Sequence, residues 1–285
     1  MATTLGRNRY GKAETRVVVL RRHADRHEIA DLNVSIALSG DLADTHLTGD
    51  NAKVLPTDSQ KNTVFAFAKK HGIEQPETFG LLLASHFVAT QRAITHARVE
   101  IEEYTWNRLG AHSFARAGDE VRTCVIHHDE QATHVVSGLK DLVVLNSTDS
   151  EFWGYPKDEY TTLPETSDRI LATAVSASWR HTGMDTDWGK SYTEARSHLL
   201  EAFAGTYSYS LQQTLHAMGS RMLEHRPELC EVRFSLPNKH HFTVDLSPFG
   251  MDNENEVFFA ADRPYGLIEG SVVRDDAPDA GQAWE

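Results

Sequence analysis

Two rhythms of apolar residues run along this chain, and they occur twice in the same order. Residues 14–22 and 28–39 alternate apolar with polar positions, Ala30, Leu32, Val34, Ile36 and Leu38 falling on one side of the second stretch. This pattern predicts two strands that turn at Asp25-Arg26. Thr57-Asp58-Ser59-Gln60 has the Ser/Thr-x-x-Glu/Gln form of a capping box and predicts a helix capped by Thr57, with Val64, Phe67 and Ala68 on one face. Pro76-Glu77 opens a second helix that places Phe79, Leu82, Leu83, His86 and Phe87 together. Alternation returns at 95–104 and again near 121–127.

From about residue 133 the order repeats. Strands are expected at 134–146 and 170–179, then a helix over 185–205 with Trp188, Tyr192, Ala195, Leu199 and Phe203 inward. Ser210-Leu211-Gln212-Gln213 is a second capping box, leading a helix with Leu215, Met218 and Met222. Strands at 230–236 and 242–246 close the half, joined as a hairpin by the stretch Ser-Leu-Pro-Asn-Lys-His-His-Phe at 235–242. The chain therefore reads as an α+β protein with two ββααββ domains, 10–130 and 131–270, and a flexible tail at 271–285. Each half should be an antiparallel sheet carrying both helices on one face, with the other face left for another subunit.

Composition narrows the function classes. The formal charge of −13, from 28 basic and 41 acidic residues, argues against binding nucleic acid or anionic lipid. Two cysteines are too few for a disulfide framework or a cysteine-rich zinc site and suit a reducing compartment. With no apolar run of a signal peptide or membrane span, and no Ser-Lys-Leu-type ending, the expected location is the cytoplasm. The 16 histidines raise the question of a metal, with His127-His128-Asp129 and His134, or His240-His241, as candidate ligands. Neighbouring residues on a strand point to opposite faces, however, so neither His pair chelates one ion easily, and no metal is expected.

Several blocks carry polar chemistry: Tyr-Gly-Lys at 10–12, His-Glu-Ile at 27–29 followed by Asp-Leu-Asn-Val at 31–34, Thr-Asp-Ser-Gln-Lys-Asn-Thr at 57–63, Asp-Glu-Tyr-Thr-Thr-Leu at 158–163, and Leu-Pro-Asn-Lys-His at 236–240. In these blocks and their order the sequence resembles the urate oxidase (uricase) family, from about residue 10 to 268. The resemblance implies two tandem tunnelling-fold domains per chain, assembled as a homotetramer around a tunnel, with active sites shared between subunits. It also implies oxidation of urate by O₂ and water to 5-hydroxyisourate and H₂O₂ without metal or organic cofactor.

Residue by residue, the resemblance makes Arg169 the planar fork that grips a urate carbonyl and ring nitrogen, and Gln212 the amide at the pyrimidine edge. Phe152 is the ring that stacks on the purine, and Thr57 and Asp58 meet the five-membered ring. Leu211 takes a position where the family commonly has Val and contributes a backbone contact. Lys12, Thr57 and His240 match a proton relay, in which a lysine shielded from water acts as base through Thr57. Asn238 matches the residue above the ring where O₂ and then water bind, sharing that site with Thr57. Lys239 and His241 flank the site without an assigned role. Each residue also has an ordinary structural reading: Arg169 paired with Asp168 or Glu165, Gln212 a helix start, Phe152 core, Thr57 a cap. Two other functions stand beside this one, a zinc-dependent purine or pterin enzyme of the same fold and a purine-binding protein without turnover.

Overall fold

The structure is a computed structural model and describes residues 2–285. Its described residues divide into two compact units: those up to 138 with 180–190 and 278–285, and residues 139–179 with 191–277. Among the described residues no helix is long and apolar enough to cross a membrane.

The first unit opens with β1 (Tyr10–Arg22) and β2 (His27–Gly40), followed by the short helix α1 (Ala43–Leu47), α2 (Thr57–His71) and α3 (Pro76–Thr90). Then come β3 (Ile94–Glu103), a small ribbon of β4 (Trp106–Arg108) and β5 (Phe114–Arg116), and β6 (Val121–Asp129). Strands β1, β2, β3 and β6 pair antiparallel in that order. Their side chains alternate as the sequence requires: Leu32, Val34, Ile36 and Leu38 of β2 are buried, as are Ala97, Val99 and Ile101 of β3. α3 covers this face over β3 and β6, and α2 lies against β1. In α3 the buried residues beyond its first two positions are Phe79, Gly80, Leu83, Ala84 and Phe87, whereas Leu82 is exposed, so the apolar stripe is rotated from the expected one.

In the first turn of α3 the fully buried Glu77 accepts hydrogen bonds from Arg122 at 2.6 Å and Ser137 at 2.7 Å. Such a pair adds little net stability, but losing one partner strands the other charge. The last eight residues, expected to be flexible, are instead held on this unit. Arg180 donates to the carbonyls of Pro278 and Asp279 at 2.8 and 3.3 Å, and Ala283 is buried.

β7 (Thr133–Asn146) starts in the first unit and passes into the second, which continues with most of β8 (Leu171–His181) and α4 (Trp188–Gly205), whose residues 180–181 and 188–190 belong to the first unit, and with α5 (Leu211–His225). β9 (Leu229–Pro237), β10 (His241–Thr243), a 3₁₀ turn at Ser247–Phe249, β11 (Phe258–Ala260) and β12 (Leu267–Val273) complete it. The sheet order is β7-β8-β9-β12, under a core of Val175, Trp179, Leu199, Met218, Met222 and Phe234. The second capping box forms with its return bond one residue early: Ser210 Oγ accepts the Gln213 N–H at 3.1 Å, and Gln213 accepts the N–H of Tyr209, which precedes the cap, at 2.7 Å. The expected terminal hairpin does not. β9 pairs antiparallel with β12, and β10 pairs with β11 in a separate ribbon.

Both cysteines, Cys124 and Cys230, are thiols with no exposed surface. His127 on β6 is 1% exposed, with Nδ1 at 3.2 Å from Nε2 of His96. Burial first, then the positive neighbours His96, Arg98, His134 and Arg9, push its pKa down to about 3. An unfolded His titrates near 6.5, so this residue contributes its full stability above pH ~6.5 and loses it as the pH falls toward 3. At pH 5 the loss is about 2 kcal/mol. Urea unfolding of wild type and His127→Gln at pH 7.5, 6 and 5 measures this: the variant should be weaker at pH 7.5 yet lose less on acidification. Equal losses in both proteins would rule out His127 as the source.

Candidate active site

The segment 147–170 forms a stapled excursion of the second unit. Phe152 and Thr166 exchange main-chain hydrogen bonds at 2.9 and 3.0 Å, closing its base. Gly154 N–H donates to Glu165 at 2.9 Å, Tyr155 OH donates to the Leu163 carbonyl at 2.6 Å, and Lys157 pairs with Glu165 at 3.5 Å. Two site residues sit at this base. The Phe152 ring stacks on Tyr155 at 4.9 Å, and the Arg169 guanidinium lies 5.2 Å from the Phe152 ring centre.

Across from them, residues 237–241 are pinned by main-chain bonds on both sides. Asn238 N–H donates to Gly266 O and Lys239 N–H to Ala172 O, each at 2.8 Å, and His240 O accepts from Ala261 N at 2.9 Å. With the backbone so tied, the side chains of Asn238 and His240 are left to face a cavity of about 480 Å³, which Phe152, Arg169 and the Thr162-Leu163-Pro164 turn also line. That volume suits a small planar ligand. The ribbon contributes Thr243 and Phe258, with Asn255 from its connecting loop. None of these three was expected from sequence; the only signal was the apolar Val-Phe-Phe-Ala run at 257–260, which pairs with a distant partner.

Several polar groups at this cavity lack internal partners among the described residues. Arg169 is half-buried, its Nε donates to Ser150 Oγ at 3.2 Å, and its two terminal nitrogens meet no carboxylate among the described residues. Asp168 is engaged instead by Thr148 at 2.9 Å, and Glu165 by Lys157, so the ion pairs considered for Arg169 do not form. Burial lowers the Arg169 pKa from its ordinary value. Burial, followed by the charges of Arg169 and His241, lowers that of His240, which is therefore neutral at pH 7. The His240 ring and the Asn238 amide make no hydrogen bond among the described residues, whereas His241 Nδ1 lies 3.0 Å from Lys239 O. Leu211 and Gln212 do not line the cavity. They form the first turn of α5, Leu211 buried in the core and Gln212 exposed.

Lys12, Thr57 and Asp58 belong to the first unit. One extra residue in β1 between Lys12 and Thr15 makes a bulge, with Glu14 in the left-handed region at φ 55° and its N–H held by Ser35 Oγ at 2.9 Å. Bulges of this kind re-aim neighbouring side chains. Just before it, Gly11 has no room for a side chain: a Cβ would sit 1.7 Å from the Ile36 carbonyl oxygen of β2. Helix α2 starts differently from expectation. Pro56 holds the capping position, its carbonyl accepting the Gln60 N–H at 3.2 Å, and no side chain caps the turn. The Gln60 amide, wholly buried, turns back to Leu55 O at 3.4 Å and so cannot close a box. Thr57 therefore keeps its hydroxyl free of capping, and it makes no hydrogen bond among the described residues. Asp58 pairs with Lys61 at 2.5 Å; that bond first, and the nearby Lys12 charge among later causes, lower its pKa. The Lys12 ammonium makes no ion pair among the described residues. Among those residues, too, no three His, Cys, Asp or Glu side chains converge so as to hold a metal ion.

Comparison with known proteins gives one answer. A family profile described as Uricase matches residues 8–127 and 135–269. The chain is 49% identical over 282 residues to a uricase of Arthrobacter globiformis, spanning 98% of this chain and 93% of that one. It is 37% identical over 283 residues to a uricase of Dictyostelium discoideum, spanning 96% and 98%. In structure it is similar to the crystal structure of the Arthrobacter globiformis uricase, with a TM-score of 0.97 over 100% of this chain and 99% of that one. The crystal structure of a uricase from Bacillus fastidious, 25% identical, superposes with a TM-score of 0.80 over 94% of each chain.

The close approach at Gly11 yields a test. Gly11→Ala must push β1 away from β2 beside Lys12, at a cost of about 2 kcal/mol. Thermal unfolding of the variant should show the loss, and an unchanged midpoint would mean that β1 accommodates the methyl without moving.

Proposed function

The chain belongs to the uricase family and is a urate oxidase; from that premise we propose that it oxidises urate with O₂ and water to 5-hydroxyisourate and H₂O₂, using no metal or organic cofactor. The observation that carries the site assignment is Arg169, a half-buried guanidinium beside an aromatic ring with no internal carboxylate. An unpaired buried cation is costly unless a ligand supplies the counter-charge. Urate, a flat anion with adjacent carbonyl and ring N–H groups, matches the planar fork and offers Phe152 a face to stack on.

The chemistry proposed asks the protein to remove a proton, hold the ring and seat O₂. Triplet O₂ reacts slowly with closed-shell molecules, but fully deprotonated urate can give it one electron, after which the two radicals recombine at the ring. Urate supplies both electrons overall, and O₂ leaves as H₂O₂ when water delivers the hydroxyl of the product. Lys12 acts as base through Thr57, and the absence of a capping bond on Thr57 supports this, because its lone pairs are uncommitted. His240, neutral at pH 7, can take or return the proton. Asn238, its backbone pinned and its amide unpartnered, is assigned to O₂ and then water. Thr57 and Asp58 serve the five-membered ring, Gln212 and the Leu211 backbone the pyrimidine side. The setting proposed is the cytoplasm, which suits two cysteines that remain thiols.

We further assign the functional state to a homotetramer whose sites draw Lys12, Thr57 and Asp58 from one subunit and the second-unit residues from another. In support, the polar faces of the sheets, such as Ser176, Ser178, Arg233 and Ser235, carry no helix, and β1 and β12 are edge strands. Ring closure would remove such edges.

Arg169→Lys keeps the charge but loses the parallel pair of hydrogen bonds, about 2 kcal/mol, so KM for urate should rise about thirtyfold. An unchanged KM would move Arg169 out of the site. For site sharing, Lys12→Ala and Arg169→Ala should each be nearly inactive alone. Differentially tagged and co-expressed, they should recover activity with near-normal KM in purified mixed oligomers. Proven mixed oligomers no more active than their parents would overturn sharing.

A further inference from the structure

Among the completely buried hydroxyl side chains of the second unit, Ser150, Ser208 and Thr214 are tied by hydrogen bonds to Arg169 or to the start of α5. A buried hydroxyl costs about 1–3 kcal/mol unless it is hydrogen-bonded, and alanine or valine would fill such positions at lower cost. Their bonds connect two elements that are distant in sequence. Ser150 Oγ accepts from Arg169 Nε at 3.2 Å, and Ser150 O accepts from Arg169 N at 2.9 Å. The segment around Ser150 is bridged to Ser208: Glu151 N donates to Ser208 O at 2.9 Å, and Ser208 N to Asp149 O at 2.8 Å. Ser208 Oγ in turn donates to Ser210 O at 3.1 Å and accepts from Thr214 Oγ1 at 2.8 Å. Ser210 is the cap of α5, and Leu211 and Gln212 follow it as the first turn.

Hydrogen bonds, joined by the covalent main chain at residues 149–151, therefore connect the guanidinium of Arg169 to the helix turn that carries Gln212. Asp149, in the left-handed region at φ 58°, shows that the backbone at this junction is held in a conformation it would not choose alone. We propose that Ser150, Ser208 and Thr214 are positioning residues that fix the spacing between Arg169 and Gln212, and so set the width of the urate-binding edge. This rests on the urate reading of the cavity. The network touches no reacting atom, so its loss weakens the grip on the ring and leaves proton and electron transfer intact. Fully satisfied buried networks act in this way, by specifying one geometry.

Thr214→Val is nearly isosteric and removes only the hydroxyl, and Ser150→Ala removes the acceptor of Arg169 Nε. Urate binding to each is measured by calorimetry without O₂, and turnover by steady-state kinetics. Both variants should bind urate at least fivefold more weakly with kcat within twofold of wild type, while Thr214→Ser, which keeps the hydroxyl, binds like wild type. In an Arg169→Lys background Thr214→Val should add less than twofold, because the residue acts through Arg169. Should Thr214→Val fail to fold, Ser150→Ala decides alone. Unchanged urate affinity in both variants, or a fall in kcat without weaker binding, overturns the proposal. Wild type that binds urate, with an affinity that Arg169→Lys lowers, keeps the urate reading standing if the positioning role fails.

Discussion

A strand has two edges, and in the second unit both edges of β9 are occupied, one by β8 and the other by β12. That constraint shapes the cavity. The residues between Pro237 and Leu267 cannot join the sheet, so they leave it, fold back as the β10–β11 ribbon and return. Their main chain finds partners on the 172 and 261–266 segments instead. Backbone groups must be paired somewhere, and here the pairing fixes Asn238 and His240 in place while leaving their side chains uncommitted. On the facing side, the 147–170 excursion is closed by its own main-chain bridge and holds Phe152 and Arg169. Two excursions, each too well bonded to collapse into the gap, keep the cavity open.

The first unit applies the same economy to a helix start and a bulge. Pro56 lacks an N–H and fixes the turn into α2 without help from Thr57. The bulge in β1 is secured by Ser35, outside the site. In both units the groups assigned to the proton and to O₂, Lys12, Thr57, Asn238 and His240, are ones that folding left without internal hydrogen-bond partners among the described residues.

Most elements were legible because their signals are local. Alternation located β1 to β3 and β6 to β9, and the Ser210 box formed because Gln213 is exposed and free to reach back. Where expectation failed, the deciding partner was remote. The alternation at 242–246 is real, but which strand it joins depends on β12, whose own side chains are mostly exposed and give little signal. The box at Thr57 matched in letters, yet burial of Gln60 diverted its amide. The order of the last residues comes from Arg180, almost a hundred positions earlier, and their own polar composition could not report it. Within the candidate site, Phe152, Arg169, Asn238 and His240 line one cavity. Thr243, Asn255 and Phe258 were missed because only the ribbon's return brings them there.

The burial of the two thiols takes on meaning once the proposed product is considered. Hydrogen peroxide attacks thiolates, and its damage depends on exposure and on thiolate fraction. Cys124 and Cys230 offer no surface, and burial holds the Cys124 thiol well above its ordinary pKa, in the protonated form that peroxide oxidises slowly. Met218 and Met222 are equally enclosed, which leaves Met184 and Met251, each about half exposed, as the sulfurs most open to oxidant among the described residues. With peroxide as the proposed product, both thiols would stay out of its reach at every turnover, and the ageing of the catalyst would fall to methionines at the surface.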